Sequence, residues 1–213
     1  MQTSPPQVLM GTLYVIAAPS GTGKTSLTSA LVRTLHDIKI SISHTTREQR
    51  PGEQHGVHYW FVSIAEFKAM LAQDIFLESA EVFGNYYGTS RHWVLQQLES
   101  GTDVILEIDW QGAQQVRKLF PQSVSIFILP PSADLLRKRL QTRQQDHVEV
   151  IEKRLAAAAS EVAHYREFDY LVVNDSFDDA LLDMQAIVRA NRLILSKQLQ
   201  RNQKLLAELQ QKQ

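Results

Sequence analysis

The sequence predicts an α/β fold, with helices packed on both faces of a doubly wound parallel sheet. Four short apolar runs are nearly continuous in hydrophobicity and rich in β-branched residues, which is typical of strands buried on both faces. Stretches of helical periodicity lie between these runs, and such strand–helix alternation indicates a three-layer arrangement. A glycine-rich loop joins the first run to the first helical stretch, as in a βα unit.

The elements of the main sheet follow one another along the chain. We predict strands at residues 13–17, 104–108, 124–129 and 170–173, and helices at residues 26–35, 113–119, 133–141, 150–165 and 178–196. Between residues 43 and 90 this rhythm breaks, because residues 57–62 and 76–83 look like strands of a second, smaller sheet. The helix between them begins at Ser63, which forms a capping box with Glu66. We therefore expect an insert in the main domain rather than a separate domain.

Length and composition are those of a single domain with its own core. The chain has 213 residues and a formal net charge of −1, which gives no overall attraction to nucleic acid or to a membrane surface. It has no cysteine, so disulfides and thiolate metal sites are excluded. No apolar run approaches the ~20 residues that cross a bilayer. We expect a cytoplasmic protein without nucleic-acid or membrane partners.

The two ends of the chain differ from its middle. Residues 1–10 contain Ser-Pro-Pro and are expected to form a flexible leader, and the choice between Met1 and Met10 as the natural start stays open. The main domain is expected at residues 11–192. Residues 193–213 are rich in glutamine and carry a ragged leucine stripe, which predicts a helical or frayed extension. A contact between subunits of a homo-oligomer is the alternative for this stripe.

The glycine-rich loop has the residue order of a phosphate cradle. It consists of Ala18, Pro19, Ser20, Gly21, Thr22, Gly23, Lys24 and Thr25. In such a loop backbone N–H groups surround anionic oxygens, the lysine reaches the β- and γ-phosphates, and the last hydroxyl ligates Mg²⁺. The strict pattern has glycine where this chain has Ala18, and a small residue with a negative φ fits there. The sequence predicts a site for a nucleoside triphosphate with Mg²⁺; a plain strand-to-helix turn is the alternative.

Further motifs follow the loop along the chain. They are Ser-His-Thr-Thr-Arg-Glu-Gln-Arg-Pro-Gly-Glu at 43–53, Gly-Val-His-Tyr at 56–59, Gly-Asn-Tyr-Tyr-Gly-Thr-Ser at 84–90 and Glu-Ile-Asp-Trp-Gln-Gly at 107–112. Together with Glu78 they closely resemble guanylate kinase, over about residues 11–192. The resemblance implies a P-loop kinase fold with a core at 11–42 and 91–192, a small mixed α+β GMP-binding insert at about 43–90 and a helical lid at about 137–154. It also implies Mg²⁺-dependent phosphoryl transfer from ATP to GMP.

The acceptor phosphate needs cationic and hydroxyl donors. Arg47 and Arg50 are three residues apart in a loop that contains proline and glycine, close enough to converge on one anion. The resemblance adds Tyr59 and Tyr87 as hydroxyl donors to the same phosphate. It also includes Glu53, at the end of the same motif, among the GMP-binding residues.

Guanine recognition requires a different set of groups. The guanine edge presents two adjacent donors, N1–H and the 2-amino group, beside the acceptor O6, so a carboxylate and hydroxyls complement it. The resemblance implies Glu78 as that carboxylate, with Ser43 and Thr89 as the hydroxyls. Asp109 closes a buried strand near the phosphate loop, where an acidic residue holds the magnesium shell or a substrate edge. The family often has aspartate where this chain has Glu107, so we give Asp109 more weight: we include it among the GMP-binding residues and, with Thr25, at the Mg²⁺ site, partly through water.

The remaining predicted residues lie in the lid and after the last strand. The predicted catalytic residues are Lys24, Arg47, Arg139, Arg143 and Arg154, the last three matching the lid arginines of the family. The family often has glycine after the second lid arginine and serine or threonine farther on. Gln144 and His147 depart from that pattern at the predicted hinge of the lid. Asn174 resembles the segment beside the adenine of ATP, although an Asn-Asp pair is also a common cap or turn.

Two alternative functions remain. A kinase for another nucleoside monophosphate, or for a non-nucleotide alcohol, would have no use for Glu78 beside Ser43 and Thr89. A non-catalytic guanylate-kinase-like binding module typically has an impaired phosphate loop, whereas this chain keeps Lys24 and Thr25. We therefore predict a GMP kinase of purine nucleotide metabolism, with ATP and GMP as substrates and dGMP as a further candidate acceptor.

Overall fold

In the computed structural model, which describes residues 11–82, 84–142 and 148–210, five parallel strands form the main sheet. The strand order is β2 (Ile38–Ile40), β7 (Asp103–Glu107), β1 (Leu13–Ala17), β8 (Val124–Leu129) and β9 (Tyr170–Val173). The predicted parallel sheet is confirmed, and three of its four predicted strands have the expected bounds. The strand predicted at 104–108 lies one residue earlier, and the short edge strand β2 was not predicted.

Helices cover both faces of this sheet. One face packs against α1 (Lys24–Thr34) and α7 (Phe177–Arg192), and the other against α3 (Arg91–Glu99) and α4 (Trp110–Leu119). The first core includes Tyr14, Ile16, Leu27, Leu31, Met184 and Val188. The second includes Leu13, Val15, Val94, Leu98, Val104 and Val116. Alternate side chains of β1 thus enter opposite cores, which accounts for its unbroken apolar sequence.

A second, four-stranded sheet lies between α1 and α3 in the chain. Its order is β4 (Trp60–Phe61), β3 (His44–Thr45), β6 (Asn85–Ser90) and β5 (Phe76–Val82), with β3–β4 parallel and the other pairs antiparallel. The strand predicted at 57–62 is wrong in its first half. There the backbone makes a turn, in which Gly56 has a φ of 76° and its N–H donates to the Tyr59 carbonyl at 2.9 Å.

The helix of this insert, α2 (Ile64–Ala72), begins as the sequence predicts. The Glu66 N–H donates to the Ser63 hydroxyl at 3.2 Å, and the Ser63 N–H donates to the Glu66 carboxylate at 2.7 Å, so the capping box is complete. Phe67 is buried and stacks on Phe76 of β5, with ring centroids 4.5 Å apart. This stacking fixes the helix against the small sheet.

The remaining helices are α5 (Ala133–Thr142), α6 (Val148–Val162), α8 (Leu195–Arg201) and α9 (Gln203–Gln210), with a 3₁₀ turn at Tyr165–Glu167. The helix predicted at 178–196 is too long, because Ile194, with φ −54° and ψ 133°, is not helical and separates α7 from α8. Lys197 on α8 contacts the hydroxyl of Thr12, which ties the extension to the main domain. Among the helices of the described part, none combines the length and apolarity needed to cross a membrane.

Strand register brings the ends of the two central strands together. Ile16 of β1 pairs with Glu107 of β7, so the loop after β1 and the segment after β7 lie side by side. The carboxyl ends of parallel strands are where such sheets bind ligands. Gln115 of α4 exchanges hydrogen bonds of 3.1 and 2.8 Å with the backbone of Ser79 on β5, which attaches the second sheet at this same end.

Candidate active site

The loop after β1 has the shape of an anion cradle. Gly21 and Gly23 have φ values of 89° and 91°, the left-handed region that glycine adopts without strain. A side chain at Gly23 would also come within 2.6 Å of the Asn174 amide nitrogen. Ala18 is not among the described residues with a positive φ, as its place in the loop requires. The loop then leads into α1, whose N-terminus adds positive potential.

Lys24 and Thr25 begin α1 and face the segment after β7. The Lys24 Nζ atom lies 3.5 Å from the carbonyl oxygen of Ile108. The Thr25 hydroxyl donates to Glu107 Oε2 at 3.1 Å, and Thr28 donates to the other carboxylate oxygen. Asp109 instead caps α4, because its carboxylate accepts from the Gly112 N–H at 2.9 Å and the Gln111 amide at 3.0 Å. The carboxylate in contact with the hydroxyls of Thr25 and Thr28 is therefore that of Glu107, not that of Asp109.

Two cavities meet over this loop. The larger, of about 870 Å³, runs from Thr25 to Arg47 and Arg50, and the smaller, of about 290 Å³, runs from the loop to Glu78. They share the residues Ser20, Thr25, Ser43, Tyr59, Tyr87, Glu107 and Glu161. One continuous cleft thus connects the cradle with the second sheet.

A cationic group occupies the far wall of the larger cavity. The Arg47 guanidinium donates to both carboxylate oxygens of Glu53, at 2.7 and 3.0 Å, and lies 5.3 Å from the ring centre of Tyr59. The Arg50 N–H donates to the same carboxylate at 2.8 Å. Tyr59 and Tyr87 pack edge to face, with ring centres 6.1 Å apart. Glu53 therefore holds the arginine loop in place beside the two tyrosines.

A buried carboxyl group closes the smaller cavity. Glu78 on β5 is 4% exposed and pairs in register with Thr89 on β6, which is fully buried. The Ser43 hydroxyl lies 3.4 Å from that of Thr89. Burial raises the pKa of Glu78 to about 7, and the charge of Asp109 adds to the rise, while hydrogen bonds from Thr89 oppose it.

A glycine of α4 makes room for this carboxyl group. A Cβ atom on Gly112 would lie 2.6 Å from Glu78 Oε2, so any side chain there would displace the carboxylate. Gly112 belongs to the 107–112 motif, but its contact with Glu78 joins positions 34 residues apart and was not predicted. Residue spacing gives no sign of such a contact.

The opposite side of the loop is lined by a third cavity, of about 590 Å³, which includes Arg139, Asn174 and Asp175. Asn174 is buried, and its amide donates to the Thr22 carbonyl at 2.6 Å. Arg139 approaches the carbonyl oxygens of Thr22 and Asn174, each at 3.4 Å. Asn174 thus supports the loop from beneath, and Arg139 joins the lid to it.

Two predicted lid residues cannot be placed in the site. Arg143 lies outside the described residues, as do Gln144 and His147. Arg154 falls within α6, but its side chain lies outside the described part of the chain.

Glu161 is a site residue that the sequence did not predict. It lies on α6 and lines both cavities of the cleft. Burial raises its pKa to about 7; the nearby Lys24 opposes this rise and Asp109 increases it. The end of α6 is fixed beside α4 by stacking of His164 on Trp110, with ring centres 3.7 Å apart. An amphipathic helix with one inward carboxylate resembles many surface helices, so only the packing identifies this residue.

Comparison with known proteins gives one consistent family. A sequence model described as guanylate kinase matches residues 10–191. Guanylate kinases of Escherichia coli K12 and of Salmonella typhi are each 58% identical over 201 residues, which covers 93% of this chain and 97% of each relative. The crystal structure of guanylate kinase from Anaplasma phagocytophilum has a TM-score of 0.75 at 33% identity, covering 88% of this chain and 89% of that one.

Proposed function

The chain belongs to the guanylate kinase family, and from this we propose that it transfers the γ-phosphoryl group of ATP to GMP, giving ADP and GDP. The observation that carries the proposal is a single cleft with a glycine-rich cradle at one end and a buried carboxyl group at the other. A triphosphate suits the first and a guanine base the second. The reaction belongs to purine nucleotide metabolism.

The donor nucleotide is assigned to the loop side. The backbone N–H groups of residues 20–25 surround the phosphates, and Lys24 neutralises charge on the β- and γ-oxygens. The adenine is assigned to the third cavity, beside Asn174. Because the Asn174 amide donates to the Thr22 carbonyl, we propose that it holds the loop as well as lining the adenine pocket.

The acceptor phosphate is assigned to the arginine end of the larger cavity. A guanidinium binds a phosphate through two parallel hydrogen bonds, and Arg47 and Arg50 both line this space with Tyr59 and Tyr87. In the protein without GMP, the Arg47 guanidinium forms an ion pair with the Glu53 carboxylate. We propose that Glu53 positions Arg47 and leaves the phosphate contact to the guanidinium groups and hydroxyls.

The guanine base is assigned to Glu78. An ionised carboxylate there accepts from N1–H and the 2-amino group, and the hydroxyls of Ser43 and Thr89 complete the edge. Adenine would place the lone pair of its N1 against the carboxylate. A site built to bond a particular polar edge rejects an analogue lacking it by roughly 10⁴-fold.

The side chains beside the loop fit a magnesium ion. Mg²⁺ prefers oxygen ligands, and the Thr25 hydroxyl and Glu107 carboxylate lie 3.1 Å apart at the mouth of the cradle. We assign Thr25 as the ligand, with Glu107 and Asp109 acting through water. Held by Thr25, such an ion would supply positive charge that offsets the negative charge of the triphosphate.

Transfer then depends on alignment rather than on a covalent intermediate. The cleft holds the two phosphates facing one another, so that a GMP oxygen lies in line with the γ-phosphorus. Arg139, with Arg143 and Arg154, is assigned to the charge that develops during transfer, and closing of the lid excludes water. No general base is needed, because the second pKa of a phosphate monoester is about 6 and the acceptor is already ionised.

The test is a coupled assay of ADP release with GMP, AMP and UMP as acceptors. We expect initial rates with GMP to exceed those with AMP and UMP by orders of magnitude, and dGMP to be accepted as well. The variant Lys24→Ala should lose activity, because the main cation at the phosphates is removed. Comparable rates with AMP would contradict the proposal, and an unimpaired Lys24→Ala would indicate a non-catalytic binding module.

Two further assignments complete the proposal. We place the enzyme in the cytoplasm, where ATP and GMP are made and used. The exposed leucines of the extension, among them Leu195, Leu199 and Leu209, fit a contact between subunits. Light scattering on the full chain and on a chain ending at Arg192 would test this contact. We expect the particle mass to fall from that of an oligomer to that of a single chain when the extension is removed.

A further inference from the structure

We propose that Thr28 is a positioning residue that holds the Glu107 carboxylate in place. Held there, the carboxylate accepts a hydrogen bond from the Thr25 hydroxyl, which leaves a lone pair of the Thr25 oxygen free for Mg²⁺. This inference rests on the proposed function and concerns the same cleft. It assigns a role to a buried hydroxyl that the phosphate-loop pattern does not include. It also explains how a glutamate serves at the end of β7.

The geometry places two hydroxyls on one carboxylate. Thr25 and Thr28 are three residues apart on α1, so their side chains lie on the same face of the helix. Thr25 bonds Oε2 of Glu107 at 3.1 Å, and Thr28 contacts Oε1. Each carboxylate oxygen therefore has its own hydroxyl, and the carboxylate cannot turn without breaking one contact.

The direction of each proton follows from the acceptors. The Thr28 hydroxyl has one proton and three acceptors, which are Glu107 and the carbonyl oxygens of Lys24 and Thr25, both at 3.1 Å. A carboxylate is a stronger acceptor than a neutral carbonyl, so the proton is directed to Glu107. The Thr25 proton is likewise directed to Glu107, which turns the Thr25 lone pair toward the cleft.

The burial of Thr28 supports a specific purpose. Its side chain is fully buried next to Leu27 and Leu31 on a helix that packs against the main sheet, where an apolar residue would pack as well. A glutamate has three side-chain torsions, and its carboxylate is loosely placed unless something fixes it. The Thr28 hydroxyl supplies that restraint from inside the fold.

The test compares binding of a non-hydrolysable ATP analogue by calorimetry in Mg²⁺ and in EDTA. Thr28→Val is a nearly isosteric change that removes the hydroxyl. We expect the affinity for the analogue to fall about tenfold in Mg²⁺ and less than twofold in EDTA, because losing a residue that orients a metal ligand lowers metal affinity about tenfold. Thr28→Ser should restore the parent value. Thr34→Val is the matched control, because Thr34 is an exposed hydroxyl on the same helix that bonds Leu31 and Gln185.

The same substitution in a Glu107→Gln protein distinguishes positioning of the carboxylate from a purely structural role of Thr28. In a Glu107→Gln protein, Thr28→Val should cause no further loss in Mg²⁺, because both changes remove the same contact. An equal loss in Mg²⁺ and EDTA would overturn the proposal and indicate support of the loop backbone instead. Unchanged affinity in Mg²⁺ would also overturn it. If the parent failed to phosphorylate GMP, the proposed function would fail, but metal-dependent binding of the analogue would still test Thr28.

Discussion

Replacing Glu78 by glutamine should stabilise the empty protein at alkaline pH while it abolishes GMP binding. The carboxyl group is buried, and its pKa is raised from 4.5 to about 7. Between these pH values the folded protein therefore binds more protons than the unfolded chain, so stability falls as the pH rises through this window. The difference in pKa corresponds to about 3 kcal/mol, which the folded protein has lost by pH 8.

The amide of Glu78→Gln avoids this loss because it carries no charge at any pH. Its carbonyl oxygen can still accept the hydrogen bond from Thr89. We expect the variant to be more stable than the parent by up to about 3 kcal/mol at pH 8, and nearly equal to it at pH 4.5. In a thermal melt at pH 8 this corresponds to an increase in Tm of roughly 6–12 °C for a chain of this size.

Urea unfolding at pH 4.5 and pH 8, in the absence of nucleotides, measures both values. Glu81→Gln is the matched control, since Glu81 is exposed on the same strand and its change should alter stability by less than about 0.5 kcal/mol. A variant no more stable than the parent at pH 8, or equally more stable at both pH values, would show that ionisation of Glu78 does not destabilise the fold. Calorimetry with GMP on the same samples should show that binding is lost as stability is gained.

Three further outcomes are expected. Binding of guanosine, which has no phosphate to titrate, should tighten about tenfold between pH 6 and pH 8. The reason is that the ionised fraction of Glu78 rises as the pH passes its pKa of about 7. An affinity that calorimetry finds to be the same at both pH values would contradict this. Glu53→Gln should raise the KM for GMP about tenfold in steady-state kinetics and leave the KM for ATP unchanged, because Arg47 loses the charge that positions it. A change in the KM for ATP would indicate a defect beyond the GMP site. Gly112→Ala should weaken GMP binding but not ATP binding, as measured by calorimetry, because the added Cβ displaces the Glu78 carboxylate. An unchanged GMP affinity would show that GMP binding does not depend on the position of this carboxylate.

The main sheet could be predicted because its strands have one simple physical signature. β1 and β8 enter apolar layers on both sides, so continuous hydrophobic runs mark their bounds. The short strands β2 and β3, of three and two residues, are formed by pairing with neighbours rather than by local sequence. The helix at Arg91–Glu99 was missed, although its buried Val94 and Leu98 have helical spacing.

Prediction of the site was limited by contacts between distant residues. The loop at 18–25 is a contiguous motif with its own local chemistry, so its residue order indicates its shape. The pairing of Glu107 with Thr28 spans 79 positions, and the entry of Glu161 into the cleft depends on where α6 packs. Glu53 was predicted as a GMP ligand, and its contacts with Arg47 indicate that it holds the arginine in place. Residue types alone do not distinguish these roles.

We propose that Glu78 reads the guanine base while the loop after β1 holds the triphosphate. A crystal structure with GMP and a non-hydrolysable ATP analogue bound together would test both assignments. We expect the two Glu78 carboxylate oxygens to lie about 2.7–3.2 Å from N1 and the 2-amino nitrogen of guanine. A guanine base bound elsewhere in the cleft, with the Glu78 carboxylate turned away from it, would show that Glu78 does not select the base.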